Sequence, residues 1–93
     1  MKELWRISSD YLCTEMDDEM VLLPVAGEKI LEEKFYVADG VGKIILKMIQ
    51  NEKKNEEIIV EILNHYDVSE DEAVHDMENF IQELFEKGII EKC

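Results

Sequence analysis

Positive charge, cysteine and proline are scarce in this chain, and no long apolar run occurs in it. The 93 residues hold 10 Lys+Arg against 23 Asp+Glu, a formal net charge of −13. Duplex affinity comes largely from Lys and Arg neutralising phosphates, and a net field of this sign repels them. The basic residues are also scattered, with only Lys53 and Lys54 adjacent. Nucleic acid is therefore not an expected partner. The acid excess has a plain reading as solubility and a sharper one as a field that selects a basic partner. The 2 cysteines, Cys13 and Cys93, match no metal or redox spacing. Cys13 reads as a small hydrophobe in a strand and Cys93 as an exposed end, with no disulfide between them in a reducing cytosol. No apolar run approaches the roughly 18 residues that span a bilayer. The opening Met1-Lys2-Glu3-Leu4-Trp5-Arg6-Ile7 has neither a long apolar core nor a small-residue cleavage site. The expectation is a cytoplasmic protein, monomeric or weakly dimeric, with no membrane partner.

What is present suits one packed domain over residues 1–93. Hydrophobic residues make up 46% of the chain, the level of a globule rather than a disordered segment. The first third reads as β structure. Tyr11 to Met16 and Met20 to Leu23 are strand runs joined by the polar turn Asp17-Asp18-Glu19, and Pro24 closes the second. Glu28 to Glu33 reads either as a short helical turn or as an extended loop. A short aromatic strand follows at Phe35-Tyr36-Val37, continuing into Ala38-Asp39.

Three helical stripes come next. Val41, Ile44, Ile45, Met48 and Ile49 share one face, with Asp39 as N-cap. Ile58, Ile59, Ile62, Leu63 and Tyr66 repeat the pattern, with Asn55 as cap and Glu56-Glu57 favouring the positive helix start. The third helix opens on the capping box Ser69-Glu70-Asp71-Glu72 and presents Val74, Met77, Phe80, Ile81, Leu84 and Phe85. Gly88 is its C′ stop, and Ile89-Ile90 returns as an extended segment. The expected fold is α+β and winged helix-turn-helix-like, a three-stranded antiparallel sheet packed on three helices.

Catalytic and metal chemistry have little to work with. Ser8, Ser9, His65 and His75 lie in no nucleophile motif. Neither histidine has a second histidine or a cysteine three or four residues away, and both read as solvent-facing. Asp67, Ser69, Asp71 and Glu78 match several positions of an EF-hand loop, but Glu72 stands where that loop needs glycine, and the capping box accounts for them. The Asp-Ser-Leu motif of an acyl carrier protein does not occur. No enzyme activity, metal or cofactor is expected. What remains is a binding surface: an open edge on the aromatic strand offers unpaired N–H and C=O groups to an extended peptide. The alternative is that Phe35, Tyr36 and Val37 only pack the core.

The runs Phe35-Tyr36-Val37-Ala38-Asp39 through Ile44-Ile45-Leu46, Glu57-Ile58-Ile59, and Tyr66-Asp67-Val68-Ser69-Glu70-Asp71-Glu72 resemble the PqqD-like family. So do Asp76-Met77-Glu78-Asn79-Phe80-Ile81-Gln82-Glu83-Leu84 and the closing Gly88-Ile89-Ile90. That resemblance implies a recognition element for ribosomally made, post-translationally modified peptides in natural product biosynthesis. Such a domain is a non-catalytic peptide chaperone that binds a precursor's leader peptide by strand addition. It presents the leader to a modifying enzyme, often a radical S-adenosylmethionine (SAM) enzyme. Carried onto this sequence, the peptide-binding residues are Lys34, Phe35, Tyr36, Val37 and Ala38 on the strand. On the helix they are Val74, Met77, Glu78, Ile81 and Phe85, some of which must fill the core instead. The chain departs from the family in having Ala38-Asp39 where Leu-Asn is common and Ile45 where an aromatic residue is common. A one-residue slip in the strand would exchange its two faces. The competing classes are a winged-helix DNA-binding regulator and a structural adaptor or dimerisation module using the same edge.

Overall fold

The computed structural model describes residues 4–26, 29–30 and 35–93. Its elements run β1 (Trp5–Ile7), β2 (Tyr11–Met16), β3 (Glu19–Ala26), β4 (Lys29–Ile30), β5 (Tyr36–Ala38), α1 (Gly40–Gln50), α2 (Asn55–His65), α3 (Glu70–Glu86) and β6 (Ile90–Lys92). The architecture is the expected α+β one. β3 is the central strand, antiparallel to β2 along one side. Its other side is shared by β5, opposite Met20, Val21 and Leu22, and by β4, opposite Val25 and Ala26. The sheet is thus three strands wide opposite Met20–Leu22, where β2 and β5 flank β3, and β4 extends it opposite Val25 and Ala26 beyond the end of β2.

The β2–β3 hairpin forms at the predicted turn, but Glu19, read as part of that turn, belongs to β3. Met16 pairs with Glu19 across a two-residue loop, and Asp17 takes φ 53°. Hairpin loops of this length need a positive φ at the first central residue, and Asp tolerates one better than most. Pro24 does not close β3; the strand runs on to Ala26. The Val25 N–H donates to the Asp10 carbonyl on the β2 side at 2.8 Å. The nitrogen of Pro24, one residue earlier, therefore points the other way, into the gap between the β5 and β4 pairings, where no donor is needed.

The helices keep their expected order, with shifted details. α3 begins at the predicted Ser69 cap, whose Oγ accepts from the Glu72 N–H at 3.1 Å, the one half of the predicted capping box formed among the described residues. It ends in a Schellman motif: Gly88 at φ 75°, with Gly88 N–H to Phe85 O at 3.0 Å and Ile89 N–H to Leu84 O at 2.9 Å. α2 is capped one residue earlier than predicted, at Lys54, whose N–H donates to Glu57 Oε1 at 3.0 Å. Asp39 does occupy the N-cap of α1, but its carboxylate makes no capping bond. The core is Met20, Leu22, Ala38, Ile45, Leu46, Ile49, Ile58, Ile62, Ala73, Met77, Ile81 and Leu84, closed at one end by Trp5, Ile89 and Ile90. Tyr66, expected to face inward, is 37% exposed.

One element has no counterpart in the sequence patterns. β1 pairs antiparallel with β6, Trp5 opposite Lys92 and Ile7 opposite Ile90. Trp5 lies buried under this ribbon, edge-on to Phe85 with ring centroids 5.7 Å apart. The extended segment after Gly88 thus has a partner from the other end of the chain.

Candidate functional site

Among the described residues, β5 has a strand neighbour, β3, on one side only. Its pairing follows from the alternation of an antiparallel ladder. Val25 turns its N–H toward β2, so Leu23 and Val21 do too, while Leu22 and Met20 turn toward β5. Their partners Tyr36 and Ala38 then spend their peptide groups on β3. The N–H and C=O of Val37 point to the open edge. Among the described residues, no turn, loop or cap bond engages them.

Beside this edge runs a cleft of about 400 Å³ between β5 and α3, with α1 as its floor. Tyr36, Val37, Ala38 and Asp39 line one wall, Asp76, Asn79, Phe80 and Glu83 the other, and Val41, Gly42 and Ile45 the bottom. Two contacts set its shape. The Tyr36 hydroxyl donates to Glu83 Oε2 at 2.8 Å, joining strand to helix. Burial first, and then this bond and the charge of Glu83, push the Tyr36 hydroxyl far above the usual tyrosine range. At the floor, a Cβ on Gly42 would meet Phe80 Cζ at 3.0 Å and the Ala38 Cβ at 3.3 Å. Glycine there lets the Phe80 ring lie against α1.

Of the predicted strand residues Tyr36, Val37 and Ala38 line this cleft, and of the predicted helix residues none does. Tyr36 and Ala38 turn toward α3, while Phe35, just before β5, is 55% exposed and packs no core. The strand is one residue later than predicted, Tyr36–Ala38 rather than Phe35–Val37. Lys34 lies outside the described residues. Met77 and Ile81 are buried beneath α3, and Phe85 covers Trp5 at the far end of the helix. Val74 is half-buried and Glu78 exposed, and neither lines the cleft. The difference in placement has a simple cause: the apolar stripe of α3 marks its core face, and the cleft face lies beside it. Asp76, Asn79 and Glu83 read in sequence as solvated residues, and only Phe80 breaks that pattern.

A larger cleft of about 640 Å³ lies between α1 and α2, lined in part by Lys43, Ile44, Lys47, Met48, His65 and Tyr66. Its lysines are engaged: Lys43 and Lys47 reach the carboxylate of Glu15 at 2.9 and 3.5 Å. Among the described residues, none that belongs to a strand lines it. Among the described residues no helix is long and apolar enough to cross a membrane, and no cluster of three His, Cys, Asp or Glu could hold a metal ion.

Fold and cleft together define a winged-helix-like domain whose open-edged strand flanks a groove on its last helix. The chain belongs to the PqqD family, Coenzyme PQQ synthesis protein D, whose model matches residues 19–90. Two solved structures share its fold. One, "TbiB1 in Complex with the TbiA(beta) Leader Peptide", is 28% identical over 92% of this chain and 94% of that one, with a TM-score of 0.80. The other, "Lasso peptide synthetase B1 complexed with the leader peptide", is 17% identical over 94% of this chain and 96% of that one, with a TM-score of 0.77. A search of curated proteins found no match.

Proposed function

We propose that this chain is a non-catalytic recognition module for the leader segment of a ribosomally made precursor peptide. The leader adds to β5 as a further strand, bonds to the Val37 peptide group, and lays alternate side chains into the cleft against Asp76, Asn79, Phe80 and Glu83. The module then presents the precursor to a modifying enzyme; the family resemblance implies a radical SAM enzyme for that role. The observation that carries the reading is the unpaired edge of Val37 beside an apolar-floored cleft. Family membership and the leader peptide in the 28%-identical structure support it.

The magnitudes fit weak backbone capture plus side-chain anchors. Each main-chain bond nets about 0.5–1.5 kcal/mol, and micromolar binding needs about 8 kcal/mol. A short edge cannot supply that alone, so one or two apolar leader side chains must bury on Phe80, Val41 and Ile45, each worth about 1.5–3 kcal/mol. A duplex-binding role is disfavoured by α3, whose exposed residues include Glu70, Asp71, Glu72, Asp76, Glu78, Glu83 and Glu86.

The test is an NMR titration of labelled protein with synthetic short peptides encoded beside the gene. The expected result is a large shift of the Val37 amide and slower exchange of its hydrogen. A peptide that binds while leaving the Val37 amide untouched would sink strand addition.

A further inference from the structure

The cleft has a charge pattern of its own. Three of its lining residues, Asp39, Asp76 and Glu83, are carboxylates, and none is a cation. The ion pairs among the described residues are Arg6–Glu91, Lys43–Glu15, Lys47–Glu15 and His65–Glu61, and none involves the three. Asp39 stands at the N-cap of α1 without a side-chain capping bond, so its carboxylate is not tied to the helix by a hydrogen bond. Lys43 and Lys47, the cations of the neighbouring helix, are drawn to Glu15 instead.

The carboxylates are also spaced. Asp76 and Glu83 are seven residues apart on one helix, about 10 Å at the α-helical rise, with Phe80 between them. Tyr36 and Asp39 are three residues apart in the facing extended segment, β5 and the N-cap that follows it, again about 10 Å. Glu83 meets Tyr36 at one end of the cleft, and Asp39 lines the wall opposite Asp76. The cleft therefore reads acid, apolar, acid along its length. An added strand turns every second side chain into it, about 6.6 Å apart.

Building on the strand-addition reading, we propose that the segment this cleft takes is basic: an extended peptide with an apolar side chain over Phe80 and a Lys or Arg two residues to either side. One cation meets Asp39 and Asp76, the other Glu83. The carboxylates set specificity, and the apolar anchor and the Val37 edge supply most of the affinity. On a chain of net charge −13, the same pattern speeds encounter with a basic peptide and rejects acidic ones.

A randomised peptide library displayed on phage tests this against three targets: the wild type, the D39N/D76N/E83Q variant, and Val37→Pro. The substitutions in the triple variant keep side-chain shape. Asn suits the N-cap, and the amide introduced by Glu83→Gln retains an acceptor for the Tyr36 hydroxyl. The expected wild-type pool is enriched in Lys or Arg two residues from an apolar position. The triple variant should keep the apolar preference and lose the basic one. For one selected peptide made synthetically, each Lys→Gln change should weaken wild-type binding about 1.5- to 5-fold, as for exposed ion pairs. That loss should vanish on the triple variant and shrink in high salt.

A wild-type pool without basic enrichment, or an equally basic pool from the triple variant, overturns the charge rule and leaves strand addition standing. A Val37→Pro pool indistinguishable from wild type, or no peptide selected by the wild type, overturns both.

Discussion

Replacing Val37 with proline separates the edge from the fold. The Val37 N–H points to the open side of β5, so proline removes a donor that the folded protein does not use. Tyr36, the residue before it, is already in a strand, the conformation that a following proline favours. Stability should change by less than about 1 kcal/mol, the range for a half-exposed position with no lost ladder bond. Tyr36→Pro is the contrast. It breaks a bond to Leu22 across the ladder, deletes the hydroxyl bonded to Glu83, and exposes half-buried surface. Summing about 1 kcal/mol for each of these gives a loss near 3 kcal/mol. In peptide binding, Val37→Pro loses one main-chain bond, about 0.5–1.5 kcal/mol or roughly two- to tenfold in Kd. Urea denaturation and fluorescence polarisation with a selected peptide measure the two effects. If Val37→Pro unfolds the protein as severely as Tyr36→Pro, the edge assignment is wrong. If it folds normally and binds as tightly as wild type, strand addition is wrong.

Other expectations follow from the cleft and the caps. Gly42→Ala should gain about 1 kcal/mol of helix propensity but lose about 1–3 to crowding against Phe80. The net should be a loss of stability together with weaker peptide binding, and a clear thermal stabilisation would refute the contact. Glu52 ends α1 at φ 58°, with Lys53 N–H bonded to Met48 O at 3.0 Å; Glu52→Gly should stabilise by about 0.5–1 kcal/mol in denaturant, the left-handed penalty less glycine's entropy. The Glu15 carboxyl is held below the usual glutamate range by its bond to Lys43 and then by the charges of Lys43 and Lys47. Its folded value lies below its unfolded one, so its contribution is present above the unfolded value and disappears as pH falls through the folded one. The stability difference between wild type and Glu15→Gln should therefore shrink in acid, and a difference independent of pH would contradict the pairing. Burial raises the Cys13 thiol and half shields it, so iodoacetamide should label exposed Cys93 well before Cys13, as read by mass spectrometry.

How much of this is legible in sequence depends on how local the determinant is. The α3 start at Ser69 and its stop at Gly88 rest on bonds spanning a few residues, and both stand in the structure where the sequence puts them. The β2–β3 hairpin likewise needs only the Asp17-Asp18 loop. β1 is not legible, because three residues carry no periodicity and their partner lies at the opposite terminus. The extension of β3 through Pro24 is hidden for a related reason. A proline is excluded from a strand only where its nitrogen faces a neighbour, and which way it faces depends on where β5 and β4 attach.

The site itself shows a more general limit. Apolar periodicity finds the face of a helix that the protein buries for itself, and Met77 and Ile81, which the resemblance carries onto the site, lie on that buried face rather than at the cleft. On the proposed reading, a face kept for a ligand must remain soluble without it, and polar residues such as Asp76, Asn79 and Glu83, which look like ordinary surface, fit that requirement. Two residues depart from that camouflage. Phe80 is a large ring beside the buried stripe, half-exposed in the folded chain. Gly42 sits inside a helix, where glycine costs about 1 kcal/mol relative to alanine and asks for a reason. Each alone is weak. The structure shows them to be one contact, the ring of one helix resting on the bare backbone of another. A glycine in one amphipathic helix and a surplus aromatic residue in another are together a sequence signal for a shared groove.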